Sequence, residues 1–465
     1  MGNELYSYWE RYHLCFRTRT RDTSLYAYTY MRAQLTLEDA RNYANIDRRL
    51  KGGDGQGLQQ FMTDSPWRNQ AVFEQIRADI RAQPLLLHGG ILILDESADE
   101  KAGIHSAGAA RQHNGRLGKV DVCQVATCLV YAHPATGVWT MVDGELFLPE
   151  AWFTKAYADL RREVDLPADR TFETKPQLGL KMIQRVRAQG LPFERVACDD
   201  LYGRSRSFRA ALDADGLRYA AEVPANTRVY LKPPVVGVPR RRHPSGRAPT
   251  RLKVLSQHQP HQVGRLVYSR RTDWQRVTVR QAERGALEAD FAVYQVWTLT
   301  DTLQVREEWL VIRRDVDGRL TFILLNDLAD TPTDVLIRAS CQRYFTERTY
   351  QDAKSELGWD DFQARKYRAW EHQLALTAAT LWFVASVKLN WRQLYARDPE
   401  LTRQLEVEIL PALSTANVRE LLQAVLPVPQ LTPELARQLV VQHLINRSRS
   451  TRSRLKSQRE HNDSS

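Results

Sequence analysis

Residues 343–357, RYFTERTYQDAKSEL, contain no Gly or Pro and are followed by Gly358, which predicts a helix with a glycine stop. At about 100° per residue, Arg343, Glu347 and Lys354 lie within about 40° of one another on one helical face. A carboxylate between two cations suits an enzyme that holds a metal with the carboxylate and nucleic-acid phosphates with the cations. An Arg–Glu pair on a solvated helix face explains the same pattern.

The composition bounds the size of this protein and the class of its partners. A chain of 465 residues is too long for one ordinary domain, and two to four domains are expected. The net charge is +11 and the pI is about 9.4, which favours a polyanion as a partner. A generically basic soluble protein would carry the same charge, so the charge alone does not decide.

Cysteine usage and apolar runs indicate the compartment. The five cysteines are scattered singly without zinc-site spacing, which suits a reducing compartment. The N-terminus lacks the apolar core of a signal peptide. The longest apolar run, residues 374–389, contains polar residues and falls short of transmembrane length. These features predict a soluble, cytoplasmic protein of bacterial type with no membrane partner.

Changes in residue pattern divide the chain into segments. The first reads as short arginine-rich helices, which favours a DNA-binding domain, with a helical cap on the core as the alternative. The last alternates Arg or Lys with Ser, as in a disordered tail that contacts phosphates. The predicted segments are an N-terminal helical domain (1–83), a first part of the core (84–223), a β-rich insertion (224–333), a last part of the core (334–395), a C-terminal helical region (396–446) and a basic disordered tail (447–465).

The core segment carries the pattern of a mixed α/β layer. Residues 89–95, GGILILD, form an apolar run ending in an acid, as in a buried strand whose last residue lies at the sheet edge. Residues 101–118 read as a loop, and two strands follow. Residues 196–198 form a short strand that runs into Asp199. The order β–β–β–α–β–α–β therefore places acids at the ends of two core strands.

Three acids, Asp95, Asp199 and Glu347, fit one chemical task. Two-metal phosphoryl transfer uses carboxylates to hold two hard divalent cations about 3.5–4 Å apart. Mg²⁺ prefers oxygen ligands and keeps several waters, so three carboxylates and a substrate phosphate suffice. Each acid also has a simpler interpretation, as a strand-end cap, a neighbour of the functional acid or half of an ion pair. The competing acids and partners are Glu96, Asp99, Asp200 and Arg343.

The same residues resemble a known family. The R-x3-E-x6-K pattern at Arg343, Glu347 and Lys354 looks like the signature of bacterial insertion-sequence DDE transposases. Their ribonuclease H-like core carries a β-strand insertion before the glutamate. The likeness runs from about residue 16 to residue 391. Further matching stretches are Ile93-Leu94-Asp95-Glu96-Ser97, Lys101-Ala102-Gly103, Ala110-Arg111-Gln112-His113, Leu148-Pro149-Glu150-Ala151-Trp152, Asp199-x2-Tyr202-Gly203 and Lys354-x-Glu356-Leu357-Gly358.

The resemblance implies a catalytic metal site and an α/β, ribonuclease H-like fold with helices on its mixed sheet. Asp95, Asp199 and Glu347 would form the metal-binding triad for two Mg²⁺ ions, with Mn²⁺ as a substitute. Where many relatives have a second Asp after the first, this chain has Glu96, which favours Asp95 as the ligand.

Further residues are expected to contact DNA. The resemblance implies that Arg343 and Lys354 bind phosphates near the cleaved bond. It also aligns Trp309 with an aromatic that stacks on a displaced base beside a hairpin intermediate, whereas a core position in a sheet is the simpler interpretation. The family often has a tyrosine three residues before the arginine, where this chain has Ser340. The charge pattern itself predicts phosphate contacts for the basic loop that contains Arg240, Arg241 and Arg242.

The expected function is that of a DNA transposase, working by cut-and-paste through a hairpin. The resemblance implies a synapsed homodimer on transposon-end and target DNA, associated with the nucleoid. A catalytically lapsed, domesticated transposase that regulates by binding DNA is the alternative. A ribonuclease H-like nuclease without strand transfer is the third interpretation.

Overall fold

The structure is a computed structural model that describes residues 2–115, 117–240, 249–270, 272–282, 285–361, 364–404, 406–428 and scattered positions from 432 to 456. Its helices are α1 Gly2–Tyr12, α2 Ser24–Thr36, α3 Tyr43–Lys51, α4 Gln56–Thr63, α5 Asn69–Arg81, α6 Ala158–Glu163, α7 Lys175–Ala188, α8 Asp200–Gly203, α9 Arg206–Ala214, α10 Val263–Leu266, α11 Thr333–Ser340, α12 Tyr344–Gln351, α13 Tyr367–Leu394, α14 Pro399–Gln404 and α15 Thr415–Val425. Its strands are β1 Ile91–Glu100, β2 Ala110–Asn114, β3 Lys119–His133, β4 Val138–Phe147, β5 Arg195–Cys198, β6 Arg218–Val223, β7 Arg228–Val229, β8 Val236–Gly237, β9 Lys253–Val254, β10 His261–Gln262, β11 Gln275–Ala282, β12 Gly285–Leu299, β13 Val305–Arg314 and β14 Leu320–Leu325.

One mixed sheet organises the fold. Within the described ranges it has ten strands in the order β11-β12-β13-β14-β6-β5-β1-β3-β2, with β4 paired to β3. β5 is parallel to both of its neighbours, β1 and β6, whereas the other pairs are antiparallel. Helices flank this sheet, so the predicted α/β class is confirmed. β2 lies within residues 101–118, and the prediction that this whole stretch is a loop is wrong.

The first core strand is longer than its apolar run. β1 continues to Glu100 because the whole of Ile91–Glu100 pairs with β3. On its other side, β1 pairs with β5 only as far as Leu94. The sequence predicted that Asp95 is the last residue of its strand, and this is wrong because β1 ends at Glu100. Asp95 lies where the parallel neighbour stops and leaves one side of β1 uncovered.

The strands of the insertion continue the core sheet through β14, which pairs with β6 and places Ile323 opposite Glu222. Successive side chains of a strand point to opposite faces. On one face, Phe322 and Leu324 pack with the apolar side of α10. On the other face, Ile323 and Leu325 pack with α11. The two faces of this half of the sheet therefore have different coverings.

The N-terminal helices pack on the catalytic core. Apolar side chains of α1, α2, α4 and α5 belong to the same buried cluster as β1, β3 and α13. Tyr8 donates a hydrogen bond to the Ala379 carbonyl at 2.7 Å. α13 is long and apolar enough to cross a membrane, but 78% of its most apolar stretch is buried inside the fold. It is thus the core helix against which the N-terminal helices pack.

The predicted helix 343–357 consists of two parts. α12 covers Tyr344–Gln351, and Asp352–Glu356 continue it as a π-helix before Gly358 ends it with a φ of 68°. A π-turn holds more residues than an α-turn, so it rotates the side chains that follow it. The turn of 100° per residue therefore applies to α12 and not to Asp352–Glu356. Most of the tail 447–465 lies outside the described residues, so its predicted disorder stays a prediction.

Candidate active site

Three acids lie side by side on adjacent strands of the sheet. The register pairs Leu94 of β1 with Cys198 of β5, and Cys198 with Ala221 of β6. These three strands run in the same direction, so the residues that follow lie at the same level. They are Asp95, Asp199 and Glu222.

The Arg343 side chain lies among these acids. Its Nε is 3.7 Å from Oδ2 of Asp95, and its Nη1 donates to Oε2 of Glu222 at 2.7 Å. Burial disfavours the charged guanidinium, yet the pKa of Arg343 is raised because Asp95, Glu222, Asp199 and Glu347 surround it. One cation thus compensates a cluster of negative charge at the start of α12.

The acids carry more negative charge than this cation neutralises. Burial raises the pKa of Asp95 to about 7, and Asp199 adds to the rise while Arg343 opposes it. Burial also raises the pKa of Asp199 and of Glu222, again against the effect of Arg343. Buried carboxylates at this spacing repel one another, and a further cation would stabilise them.

Asp199 is fixed by the backbone that follows it. Its Oδ1 accepts hydrogen bonds from the Leu201 and Tyr202 amides at 3.1 and 3.4 Å, so it caps α8. Its neighbour Asp200 is half-buried and pairs with Arg204 at 2.7 Å. Of the two adjacent acids, Asp199 is the one whose charge acts on Asp95 and Arg343.

The acids that compete with Asp95 have other partners. Glu96 accepts from Lys175 Nζ at 2.6 Å and from the Tyr202 hydroxyl at 3.3 Å. Alternation along β1 turns it towards α7, away from Arg343. Asp99 pairs with Lys101. The geometry therefore favours Asp95 as the acid that faces α12.

Glu347 faces the same cleft from the first turn of α12. It is exposed and lines a cavity of about 180 Å³ together with Glu222 and Arg343. Within the described part of the chain, no ion pair joins Glu347 to Arg343, whose carboxylate partners are Asp95 and Glu222. The Arg343–Glu347 ion pair that the sequence suggested is therefore not formed among these residues. Arg343 instead pairs with Asp95 and Glu222 of the sheet.

Lys354 lines a different cavity from Arg343 and Glu347. It follows the start of the π-helix, and its Nζ donates to the Ala98 carbonyl at 2.8 Å. The ammonium also lies 5.6 Å from the centre of the Trp359 ring. It lines a separate small cavity of about 20 Å³ with Ser97 and Trp359. The shared face predicted for Arg343, Glu347 and Lys354 stays a prediction.

The remaining predicted residues lie on the insertion and the helix before α12. Trp309 of β13 is half-buried, and its indole N–H donates to the Leu328 carbonyl at 3.0 Å. It packs on the sheet face that α11 covers, the face that also lines the Glu347 cavity. Ser340 lines this cavity and donates to the Ile337 carbonyl at 2.7 Å. Arg240 is exposed, whereas Arg241 and Arg242 lie outside the described residues.

Comparison with known proteins identifies the family. The family model described as "DDE superfamily endonuclease" matches residues 11–286, more than half of the chain. The chain belongs to the DDE superfamily endonucleases. A protein of Microchaete diplosiphon named "Probable transposase for insertion sequence element IS701" is 27% identical over 313 residues, covering 67% of this chain and 69% of that protein. The predicted family is therefore confirmed, and the protein is an enzyme that acts on DNA.

As a DDE endonuclease, the protein depends on a divalent metal ion, and its donor set fits one. Asp95 and Asp199 supply buried carboxylate oxygens, which hard cations prefer. The Arg343 guanidinium already shows that positive charge is held at this place. Across the described residues, no three His, Cys, Asp or Glu side chains have the spacing of a metal site. In this structure the cation beside Asp95 and Glu222 is the Arg343 guanidinium.

The sequence analysis did not single out Glu222, the third acid of the cluster around Arg343. The signal was a single charge inside the otherwise apolar stretch Tyr219-Ala220-Ala221-Glu222-Val223, whose strand pairs with β5, the strand just before Asp199. Two arginines, Arg313 and Arg319, also line the Glu347 cavity and were not singled out. They lie on β13 and beside β14, so only the pairing of the insertion with β6 brings them to the site.

Proposed function

We propose that this endonuclease is a DNA transposase, which cleaves DNA at the ends of an insertion sequence and joins the freed strand to target DNA. The observation that carries the proposal is that Asp95 and Asp199 follow paired residues of adjacent parallel strands, beside the helix that carries Glu347. Arg343, at the start of that helix, lies 3.7 Å from Asp95. The family match contains both aspartates and ends before the glutamate, so the place of Glu347 rests on geometry. The transposase name of the relative supports the same assignment.

In this proposal Asp95, Asp199 and Glu347 hold two Mg²⁺ ions, with Mn²⁺ as a substitute. Such ions activate the attacking oxygen and stabilise the leaving oxygen of phosphoryl transfer. The sheet holds the two aspartates in place through strand register and the cap on α8. Glu347 is exposed in a cavity of about 180 Å³, so its side chain has room to reorient.

The proposed reaction needs no external energy source. Water attacks the phosphodiester at the element end, a new P–O bond forms, and the 3′ oxygen leaves as a hydroxyl. That hydroxyl attacks the opposite strand, which closes a hairpin and releases the flanking DNA. A second water opens the hairpin, and the same 3′-hydroxyl then attacks the target. Each transesterification exchanges one P–O bond for another.

Arg343, Lys354 and Trp309 have DNA-binding roles in this proposal. The Arg343 side chain is 26% exposed beside the acids, where it reaches a phosphate next to the cleaved bond. Lys354 holds a second phosphate from its separate cavity. Trp309 stacks on a base displaced at the hairpin. Two copies of the chain synapse the two ends, and the enzyme works on the cytoplasmic nucleoid.

The test is cleavage and strand transfer on duplexes that carry the terminal inverted repeats flanking the gene. The wild-type protein with Mg²⁺ is expected to give nicked, hairpin and joined products. Asp199→Asn is expected to abolish all of them while DNA binding in EDTA persists. Asp200→Asn, which changes the adjacent acid bound to Arg204, is the matched control and is expected to retain them.

Each other outcome rejects part of the proposal. Cleavage by Glu347→Ala at the wild-type rate would remove the glutamate from the triad. Nicks without joined products would indicate a nuclease that does not transfer strands. Binding of the ends by wild-type protein without any cleavage would favour the catalytically lapsed regulator.

A further inference from the structure

The basic charge of this chain is concentrated in one segment. Residues 223–272 contain 11 Lys and Arg residues and not one Asp or Glu. The whole chain has 66 Lys and Arg and 55 Asp and Glu, so the remainder has 55 of each and is neutral. The net charge of +11 is thus a property of this stretch, which we call the acid-free segment.

Seven cations of the acid-free segment have described side chains, and these can be compared with the arginines around them. Within the described residues, none of the seven whose side chains are described forms an ion pair, and all seven are exposed. They are Arg228, Lys232, Arg240, Arg251, Lys253, Arg265 and Arg270.

Arginines on the neighbouring strands behave differently. Arg276 and Arg314 both pair with Asp290, at 3.1 and 2.9 Å. Arg313 pairs with Asp315 at 2.6 Å. These three arginines are thus neutralised by carboxylates, whereas the seven described cations of the acid-free segment form no ion pair. Like charges at this density repel one another unless a polyanion binds them.

The segment has a defined scaffold. β7 pairs with β10, and Tyr230 exchanges backbone hydrogen bonds with Trp297 of β12 at 2.8 and 2.9 Å. Val229, Val263 and Leu266 are buried against β12–β14. Arg228 of β7 and Arg265 of α10 therefore project from backbone that is fixed to the sheet.

This scaffold covers the sheet face opposite the catalytic cleft. Val223 packs with α10 and the rest of that face, whereas Glu222, the residue before it, turns to Arg343. Ile323, opposite Glu222, lines the cavity of Glu347. DNA bound to the acid-free segment would thus lie on a different surface from the strand being cut.

We propose that the acid-free segment is a second DNA interface, which binds the phosphate backbone of duplex DNA independently of sequence. This inference rests on the proposed function and adds a surface remote from the cleft. Unpaired exposed cations on a fixed scaffold release counterions when they bind phosphates, which gives affinity and salt dependence. Phosphate contacts hold and orient the duplex without reading bases.

The test is the salt dependence of duplex binding in EDTA, where cleavage plays no part. The variant neutralises four cations of the segment, and the control neutralises four exposed cations elsewhere. The variant is Arg228→Gln, Lys232→Gln, Arg265→Gln and Arg270→Gln; the control is Arg68→Gln, Lys155→Gln, Arg187→Gln and Arg392→Gln.

The slope of log affinity against log salt is expected to fall in magnitude by about 3 to 4 for the variant, since each lost phosphate contact contributes about 0.9. The control is expected to change it by less than about one. End-containing and random duplexes are expected to respond equally, and the cleavage rate at saturating DNA is expected to stay at the wild-type value. Unchanged slopes, or equal changes in the control, would overturn the inference.

Two further measurements keep the result decisive. The pair Arg251→Gln and Lys253→Gln changes only the β9 region and is expected to reduce the slope by about 2 without lowering the melting temperature. Loss of binding to phosphatidylserine vesicles with no change on DNA would assign the surface to a membrane instead. If the wild type cleaves no DNA and the fourfold variant still shows the predicted fall in slope, the transposase proposal is rejected and the second DNA interface is supported.

Discussion

Arg343 Nη1 donates to Glu222 Oε2 at 2.7 Å, and this ion pair links the helix that carries Glu347 to a central strand of the sheet. The same guanidinium has its Nε 3.7 Å from Asp95. The pair therefore places Arg343 between two strands and fixes the start of α12 against them. Glu222 acts on the site through Arg343, as a positioning residue.

We predict that Glu222→Ala lowers the free energy of unfolding by about 1–3 kcal/mol, because it leaves a half-buried guanidinium without its closest acceptor. Glu222→Gln keeps an acceptor oxygen and is expected to lose less. Both are expected to slow cleavage, with the Mg²⁺ requirement unchanged. Urea unfolding and single-turnover cleavage measure the two effects.

Glu288→Ala removes an exposed acid 4.0 Å from Arg276 and serves as the control. It is expected to change the free energy of unfolding by under about 0.5 kcal/mol. Equal losses for Glu288→Ala and Glu222→Ala would contradict a special role for the pair.

The sequence predicted the central strands well because their chemistry is local. The run Ile91-Leu92-Ile93-Leu94 is apolar on both faces, and such a run indicates a strand with neighbours on both sides. Asp95 and Asp199 follow such runs, so their shared level in the sheet was foreseeable. Glu222 was not, because one charge in a strand usually faces solvent, and only register shows that it adjoins Asp199.

The π-helix could not be predicted because distant contacts hold it. Asp352 is buried, and its Oδ2 accepts from Trp139 at 2.9 Å and from Thr415 at 2.7 Å. Lys388 lies 3.8 Å away. These partners come from β4, α15 and α13, and a helical wheel contains none of them.

Two substitutions of Trp309 distinguish a base-stacking role of its ring from a packing role in the sheet. Trp309→Phe keeps an aromatic ring but loses the hydrogen bond to the Leu328 carbonyl, so a loss of about 1 kcal/mol in unfolding free energy is expected. Hairpin formation is expected to persist in this variant. Trp309→Leu keeps apolar bulk without the ring, and hairpin products are expected to fall relative to nicked products. Gel analysis of both products on one end duplex measures the ratio. A ratio that Trp309→Leu leaves at the wild-type value would assign the tryptophan to the sheet alone.

Metal binding is expected to stabilise the folded protein, because a divalent cation relieves repulsion between Asp95 and Asp199. At ten times its Kd, Mg²⁺ is expected to add about 1.4 kcal/mol to the free energy of unfolding. Removal by EDTA is expected to reverse the gain. Asp199→Asn is expected to abolish it, and Asp200→Asn to retain it. Thermal unfolding with and without metal measures the shift, and an equal gain in both variants would place the ion elsewhere.

Acid is expected to weaken the attachment of the N-terminal helices through His372 of α13. Its Nδ1 and Nε2 lie 2.9 Å from the carbonyl oxygens of Met62 and Trp67. Burial lowers the pKa of His372 to about 4, against the opposing effect of these carbonyls. The unfolded pKa is about 6.5, so the unfolded chain binds the proton more tightly. The stability from neutral His372 is thus complete above pH 6.5 and falls as the pH drops towards 4.

Between pH 7 and pH 5 the wild type is therefore expected to lose about 2 kcal/mol through this residue. Asp95 acts in the opposite direction, because its raised pKa favours the folded state as the pH falls. The informative quantity is consequently the difference in pH dependence between wild type and His372→Gln, which removes the titrating ring. His258→Gln changes an exposed histidine and is expected to keep the wild-type pH dependence. Urea unfolding at both pH values measures all three proteins. If His372→Gln lost as much unfolding free energy between pH 7 and pH 5 as the wild type, the contact of His372 would not cause the pH dependence.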